Sequence, residues 1–213
     1  MSYGQAVSSL LRIGALASHE GTTLQAILDA CADGSLAARV VAVLSNNSDA
    51  GALRRARAAG AEALHLSSKT HPDAEVLDGA MTNALLERGV EVVMLAGYMK
   101  KLGRQLLSRY QGRILNTHPA LLPKFGGQGM YGMRVHEAVL RAGEVESGSS
   151  VHLVDAEYDT GRVLAQAQVP VMSGDTPESL AARVQERERR LVVAVLNQVA
   201  KGELQLAGLS SRS

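Results

Sequence analysis

The chain has a single cysteine, Cys31, in 213 residues, so no internal disulfide can form and the fold must rest on packing. It also lacks an excess of either charge. Twenty-two Lys and Arg stand against 21 Asp and Glu, a net charge of +1, with no block of like sign. Non-specific attraction to a phosphate backbone is therefore unsupported, and no nucleic-acid partner is expected. No apolar run is long enough to span a membrane. The first stretch, "MSYGQAVSSLLRIGALAS", has no basic start and is interrupted by Arg12, so neither a secretory signal nor a membrane partner is expected. A cytoplasmic location fits these absences. The first loop after a predicted strand, 18–23, lacks the Gly-x-Gly-x-x-Gly fingerprint, which disfavours a nicotinamide-dependent dehydrogenase. No His, Cys and carboxylate set has metal-ligand spacing, and no metal is expected. Repeats and low-complexity linkers are absent.

What remains is an ordinary globular composition, 46% hydrophobic and 20% charged, in a length that suits one domain. Apolar strand patterns alternate with helical ones. Strands are predicted at 11–18, 38–46, 62–67, 90–97 and 113–116. Helices are predicted at 23–34, 52–61, 72–89 and 103–112. This rhythm predicts an α/β fold: a Rossmann-like, open, mostly parallel sheet with helices on both faces. After Gly132 the pattern changes. A helix at 134–143 leads to two strands within 148–171 around the polar turn "DAEYDTG", an antiparallel extension. A long last helix at 176–202 starts with Thr176 as N-cap and Pro177 at its first position. One domain is expected over 11–204, with loose termini at 1–10 and 205–213.

Ligands of an open α/β sheet bind beyond the carboxyl ends of its strands. Three loops there carry chemistry. In "SHEGTT" (18–23), Gly21 allows close backbone approach, and Thr22 with Gln25 makes a capping-box pattern. A helix start of this kind either holds a phosphate or is a plain cap. "AGYMKKLG" (96–103) either lines a pocket with Met99 and Leu102 or is an ordinary turn. The third loop follows the strand that is expected to end at Asn116. In "ILNTHPALLPKFGG", an amide and an imidazole stand two residues apart, stiffened by Pro119 and Pro123. Asn116 can donate to an oxyanion and His118 can carry a proton. Both could equally hydrogen-bond the backbone. Asp155, Glu157 and Asp159 are candidate carboxylate partners for His118, and spacing does not choose among them. His152 alternates with Val151 and Leu153, as a neighbour of the site or an ordinary strand position. His65, His71 and His136 read as structural or surface residues, and Cys31 as core.

Together "SNNSDAGALRRARAAG", "VVMLAGYMKKL", "GRILNTHPALLPKFGGQGMYG", "SGSSVHLVDAEYDTGRVLAQ" and "TPESLAARVQERE" resemble the phosphoribosylglycinamide formyltransferase family, in order from about 11 to 204. The resemblance implies transfer of a formyl group from the co-substrate 10-formyltetrahydrofolate to the amine of glycinamide ribonucleotide, by a monomer or homodimer. It places the catalytic Asn, His and Asp on Asn116, His118 and Asp159, with His152 supporting. It places the phosphate loop on Gly21, Thr22 and Thr23, and further phosphate and ribose contacts on Gln185 and Glu188. Met99, Lys100, Lys101 and Leu102 match the segment beside the folate pterin. On this reading Asn116 and a protonated His118 donate to the tetrahedral oxyanion, and Asp159 favours the cationic imidazole.

The first loop departs from the family's Ser-Gly-x-Gly-Ser-Asn. His19 replaces the first Gly and Thr23 the Asn, while Glu20 beside a phosphate is unfavourable unless it points away. The segment "GGQGMYGMRVH" is longer than in the shortest members and reads as a flap. Related alternatives are methionyl-tRNA formyltransferase, which adds a basic tRNA domain, and formyltetrahydrofolate hydrolase, which adds an N-terminal regulatory domain. A non-catalytic folate- or nucleotide-binding protein would have no need of Asn116, His118 and Asp159 together.

Overall fold

In the computed structural model, which describes residues 10–209, the central strands are buried on both faces because alternate residues feed two different cores. In β1 (Leu11–Leu16), Leu11, Ile13 and Ala15 enter one core and Leu16 the other. In β4 (Val92–Leu95), Val92 and Met94 enter the first, and Val93 and Leu95 the second. Such two-sided burial is why these runs read as continuously apolar. The first core is closed by α1 (Thr22–Ala32), α2 (Gly51–Ala58) and α6 (Pro177–Ala200). The second is closed by α3 (Ala74–Glu87) and α4 (Arg104–Arg109).

The remaining elements are β2 (Ala38–Ser45), β3 (Glu62–His65), β5 (Ile114–His118), α5 (Met133–Arg141), β6 (Glu146–Leu153) and β7 (Val163–Pro170). The seven strands lie in the order β3-β2-β1-β4-β5-β6-β7. The pairs from β3 across to β5 are parallel, and β5-β6 and β6-β7 are antiparallel. The fold is therefore the expected mostly parallel sheet with helices on both faces and an antiparallel end. The chain builds outward from β1 through β2 to β3, then returns to place β4 on the other side of β1. That reversal opens a crevice at the carboxyl ends of β1 and β4.

Three expectations change. The strand expected to stop at Asn116 continues to His118, because β6 pairs with it to the end: Asn116 lies opposite His152 and His118 opposite Ser150. The capping box expected from Thr22 and Gln25 does not form. Gly21, at φ 70°, is the N-cap of α1 and has no side chain to give, and Gln25 instead bonds Asp29 and Arg55. The chain end expected to be loose from 205 is anchored up to 209, with Leu206 buried in the first core and Leu209 packed against it. Residues 1–9 and 210–213 lie outside the described residues. The cap on α6 is as expected: Thr176 and Ser179 bond reciprocally, with Pro177 at the first position.

Candidate active site

Extending β5 to His118 sets the geometry of the site. Side chains alternate along a strand, so Asn116 and His118 share a face and Thr117 takes the opposite one. The antiparallel register of β6 brings His152 beside Asn116. The β6–β7 turn then supplies the carboxylate. Asp155 accepts from the Glu157 N–H and the Thr160 hydroxyl and so organises the turn, while Asp159, at φ 57°, turns inward. Of the three carboxylates left open by the sequence, Asp159 is the one that reaches His118.

The Asp159 carboxylate sits between two buried imidazoles. His118 Nδ1 lies 3.4 Å from Oδ2, and His152 Nε2 lies 3.4 Å from Oδ1. Oδ2 also accepts from the Gly127 N–H at 3.0 Å, which ties the start of the glycine-rich flap to the same group. Burial pushes the Asp159 carboxyl up, but the His152 contact, the Gly127 N–H and the two imidazoles outweigh it and hold it below its ordinary value. Both ring orientations are fixed by backbone carbonyls, which can only accept. His118 Nε2–H donates to the Phe125 carbonyl at 2.6 Å, leaving Nδ1 to face Asp159. His152 Nδ1–H donates to the Leu153 carbonyl at 2.9 Å, leaving Nε2 to accept from Asn116 Nδ2 at 3.2 Å. Asn116 therefore keeps a second amide hydrogen for a ligand.

Two opposing influences act on the charge of His118. Burial lowers its pKa, and the Asp159 charge and the Phe125 carbonyl only partly offset this. Both ring nitrogens face acceptors, the Phe125 carbonyl and the Asp159 carboxylate, so the geometry favours protonation where burial opposes it. His136, expected to be structural or surface, is buried on α5 with Nδ1 unpartnered among the described residues. Burial and the His118 charge lower its pKa.

A cavity open to solvent lies beside this cluster. Asn116, His152 and Asp159 form its floor, and Lys100, Lys101 and Leu102 line its wall. Tyr158, which no sequence signal marked, closes one side with Lys101 5.8 Å above its ring. Met99 is not in the lining: its side chain is exposed, and its N–H is held by Ser18 Oγ at 2.9 Å. His118 lies behind the floor, toward the 119–127 loop.

On the opposite face of β5, the start of α1 meets α6. Thr23 Oγ1 donates to Glu188 Oε1 at 3.0 Å, and the Thr117 hydroxyl also bonds this carboxylate. Burial raises the Glu188 pKa, and these two hydroxyls oppose the shift. Gln185, one turn earlier on the same helix face, is exposed. Gly21, Thr22 and Thr23 begin α1 without a side-chain cap, so the first N–H groups of the helix have no side-chain acceptor. Glu20 points away from them, with Oε2 3.4 Å from Arg54 Nη2. Ser150 is a contributor that sequence reasoning missed. Its hydroxyl donates to the Ala120 carbonyl at 2.7 Å and accepts from the Leu122 N–H at 3.0 Å, fixing the loop that follows His118. A buried serine in a strand gives no sequence signal of that role. Among the described residues, no group of three or more His, Cys, Asp or Glu side chains could hold a metal ion. No helix among them is long and apolar enough to cross a membrane.

An amide hydrogen and a carboxylate-linked imidazole pair at the edge of a cavity suit group transfer at a carbonyl carbon, where an oxyanion forms and a proton must move. The chain belongs to the formyl transferase family, whose description, Formyl transferase, matches residues 11–196. It is 39% identical over 196 residues to the phosphoribosylglycinamide formyltransferase of Escherichia coli, covering 92% of this chain and 90% of that protein. It is 40% identical over 191 residues to the chloroplastic phosphoribosylglycinamide formyltransferase of Arabidopsis thaliana, covering 89% of this chain but only 65% of that longer protein. Among solved structures, glycinamide ribonucleotide transformylase 1 from Symbiobacterium toebii superimposes with a TM-score of 0.87 at 39% identity, covering 97% of both chains.

Proposed function

We propose that the protein is a phosphoribosylglycinamide formyltransferase, which moves the formyl group of 10-formyltetrahydrofolate to the amine of glycinamide ribonucleotide in purine synthesis. The observation that carries the reading is Asp159 bridging His118 and His152, with Asn116 on His152, at the floor of the cavity. The folate lies along the wall of Lys100, Lys101 and Leu102, with its formyl group over Asn116. The ribonucleotide enters from the other face of β5, its phosphate at Gly21, Thr22 and Thr23 and its ribose near Gln185 and Glu188. Met99 contributes backbone shape rather than a cavity wall. The enzyme works in the cytoplasm on these two small molecules.

The chemistry follows from the proton positions. The substrate amine attacks the formyl carbon, a carbon–nitrogen bond forms, and the carbonyl oxygen becomes an oxyanion. The free Asn116 amide hydrogen donates to it. The attacking amine must lose a proton as it becomes an amide. His118 faces Asp159 through Nδ1, so this pair handles the proton, and the adjacent carboxylate stabilises the imidazolium form of the ring. Collapse of the intermediate breaks the bond to N10 of the folate, and the proton passes to that nitrogen.

The test mixes the purified protein with 10-formyltetrahydrofolate, with and without glycinamide ribonucleotide, and follows loss of the formyl group spectroscopically, with His118→Ala as control. Loss that needs the ribonucleotide and disappears in the control supports the reading. Loss without the ribonucleotide identifies a hydrolase. No loss despite folate binding identifies a binding protein or another formyl acceptor.

A further inference from the structure

The loop 18–21 is the part of the site that departs most from the family pattern, and it has no cap of its own. Its shape comes from α2, chiefly from one side chain. Arg55 Nε donates to the Glu20 carbonyl at 2.8 Å, and Arg55 Nη1 donates to Gln25 Oε1 at 2.8 Å. One guanidinium thus grips α1 on both sides of its start, at the peptide just before Gly21 and at a side chain in the first turn. In a trans peptide the carbonyl and the following N–H point in opposite directions. Holding the Glu20 carbonyl toward α2 therefore aims the Gly21 N–H away from α2.

The surrounding packing serves the same arrangement. The Ala52 N–H donates to the His19 carbonyl at 3.1 Å. A Cβ on Gly21 would come within 2.8 Å of Ala52 Cβ, so only glycine lets the loop lie this close to α2. A Cβ on Gly51 would overlap the Glu20 carboxylate and stand 3.0 Å from the Glu20 Cα. Arg54 holds the Glu20 side chain on the outer side. Among the described residues Arg55 makes no ion pair, and its two acceptors are neutral oxygens. Its positive charge is therefore left unneutralised beside the start of α1, where a helix already favours an anion.

We propose that Arg55 is the positioning residue for the phosphate of the ribonucleotide: it shapes the start of α1 without touching the reacting atoms and adds a cation behind it. This rests on the reading that the phosphate sits at Gly21, Thr22 and Thr23. Arg55 thus orders from outside a loop whose helix start has no side-chain cap.

The experiment compares glycinamide ribonucleotide with its phosphate-free ribonucleoside as formyl acceptors, for the full chain and for Arg55→Met and Arg55→Lys. In the unaltered protein the ribonucleotide has the much lower KM. Arg55→Met raises the KM for the ribonucleotide roughly tenfold, the effect of lost hydrogen bonds from a charged donor, and leaves that for the ribonucleoside unchanged. The KM for folate and kcat stay within about twofold. Arg55→Lys keeps the charge but loses the fork, and recovers only part of the preference. Gly51→Ala, with Arg55 intact, displaces Glu20 and weakens the preference in the same direction. It carries the test if Arg55→Met does not fold. An unchanged preference in Arg55→Met, full recovery in Arg55→Lys, or an equal rise in both acceptor KM values overturns the role of Arg55. If the unaltered protein shows no preference for the ribonucleotide, the phosphate placement itself is wrong and the inference falls with it.

Discussion

The two ends of the site are built by opposite means. At the catalytic end, strand register does the placing. Asn116 and His152 face each other because β5 and β6 pair there, and backbone carbonyls fix both imidazoles. At the α1 end no strand reaches the loop, and side chains from α2 and α6 hold it: Arg55, Arg54 and Glu188. Backbone register is indifferent to most substitutions, so the catalytic end keeps its geometry and depends on the identity of four side chains. A loop held by side chains can change its own sequence if its clamps remain.

This contrast makes Asn116→Ala the most damaging change. It removes the proposed oxyanion donor from an otherwise intact frame and should lower kcat by about 10²–10³ with the fold unchanged, as single-turnover kinetics would show. A loss within threefold would mean that the amide does not meet the oxyanion. Asp159→Asn comes next. It should cut turnover strongly while both substrates still bind, since the binding contacts lie elsewhere. It should also move the acid limb of the kcat profile. Burial already holds His118 below the ordinary imidazole value of about 6.5, and the Asp159 charge is the main influence pulling it back up. Removing that charge displaces the limb further toward acid. A limb that stays in place would separate His118 from Asp159.

At the other end effects should fall on affinity. Gln185→Ala and Glu188→Ala should raise the KM for the ribonucleotide with little change in kcat, and Glu188→Ala more so because Thr23 and Thr117 lose their acceptor. A selective effect on folate would show that α6 has been assigned to the wrong substrate. Smallest is a stability effect. Burial raises the Glu188 pKa above its unfolded value of about 4.3. Such a group contributes stability that is fully present below the unfolded value and lost as pH rises through the folded one. Near neutral pH its charged form weighs against folding. Glu188→Gln keeps an oxygen for Thr23 and should melt a few degrees higher there, with no gain in strong acid. A lower melting temperature near neutral pH would mean that the two hydroxyl contacts dominate burial.

The same contrast marks what was legible in the sequence. The sheet and its helices could be read because β1, β2 and β4 are apolar on both faces and the helices are periodic. Asn116 and His118 stood out by chemistry and spacing. The extension of β5 to His118 could not be read, because a polar Asn-Thr-His end resembles a loop until a pairing strand is known. Spacing alone could not choose Asp159 over Asp155 and Glu157, which depends on how one turn coils; the family resemblance made that choice. Arg55 looked like one of three arginines in "RRAR", and only its position over the Glu20 carbonyl distinguishes it. The pairing of Asp159 with His118 could be guessed from residue types, while the burial that opposes the charge on His118 could not.

The left-handed backbone at Asp159 also constrains how the site can change over time. Residues that adopt this conformation readily are Gly, Asn and Asp. Both alternatives lie one nucleotide substitution away from an aspartate codon, and neither can carry the negative charge between the two imidazoles. A lineage losing the activity would therefore meet Asn or Gly here first, with the turn still folded and the cavity still shaped. On the proposed function, Asn or Gly at this position would separate the shape of the site from its chemistry, since the turn tolerates both and neither carries the charge.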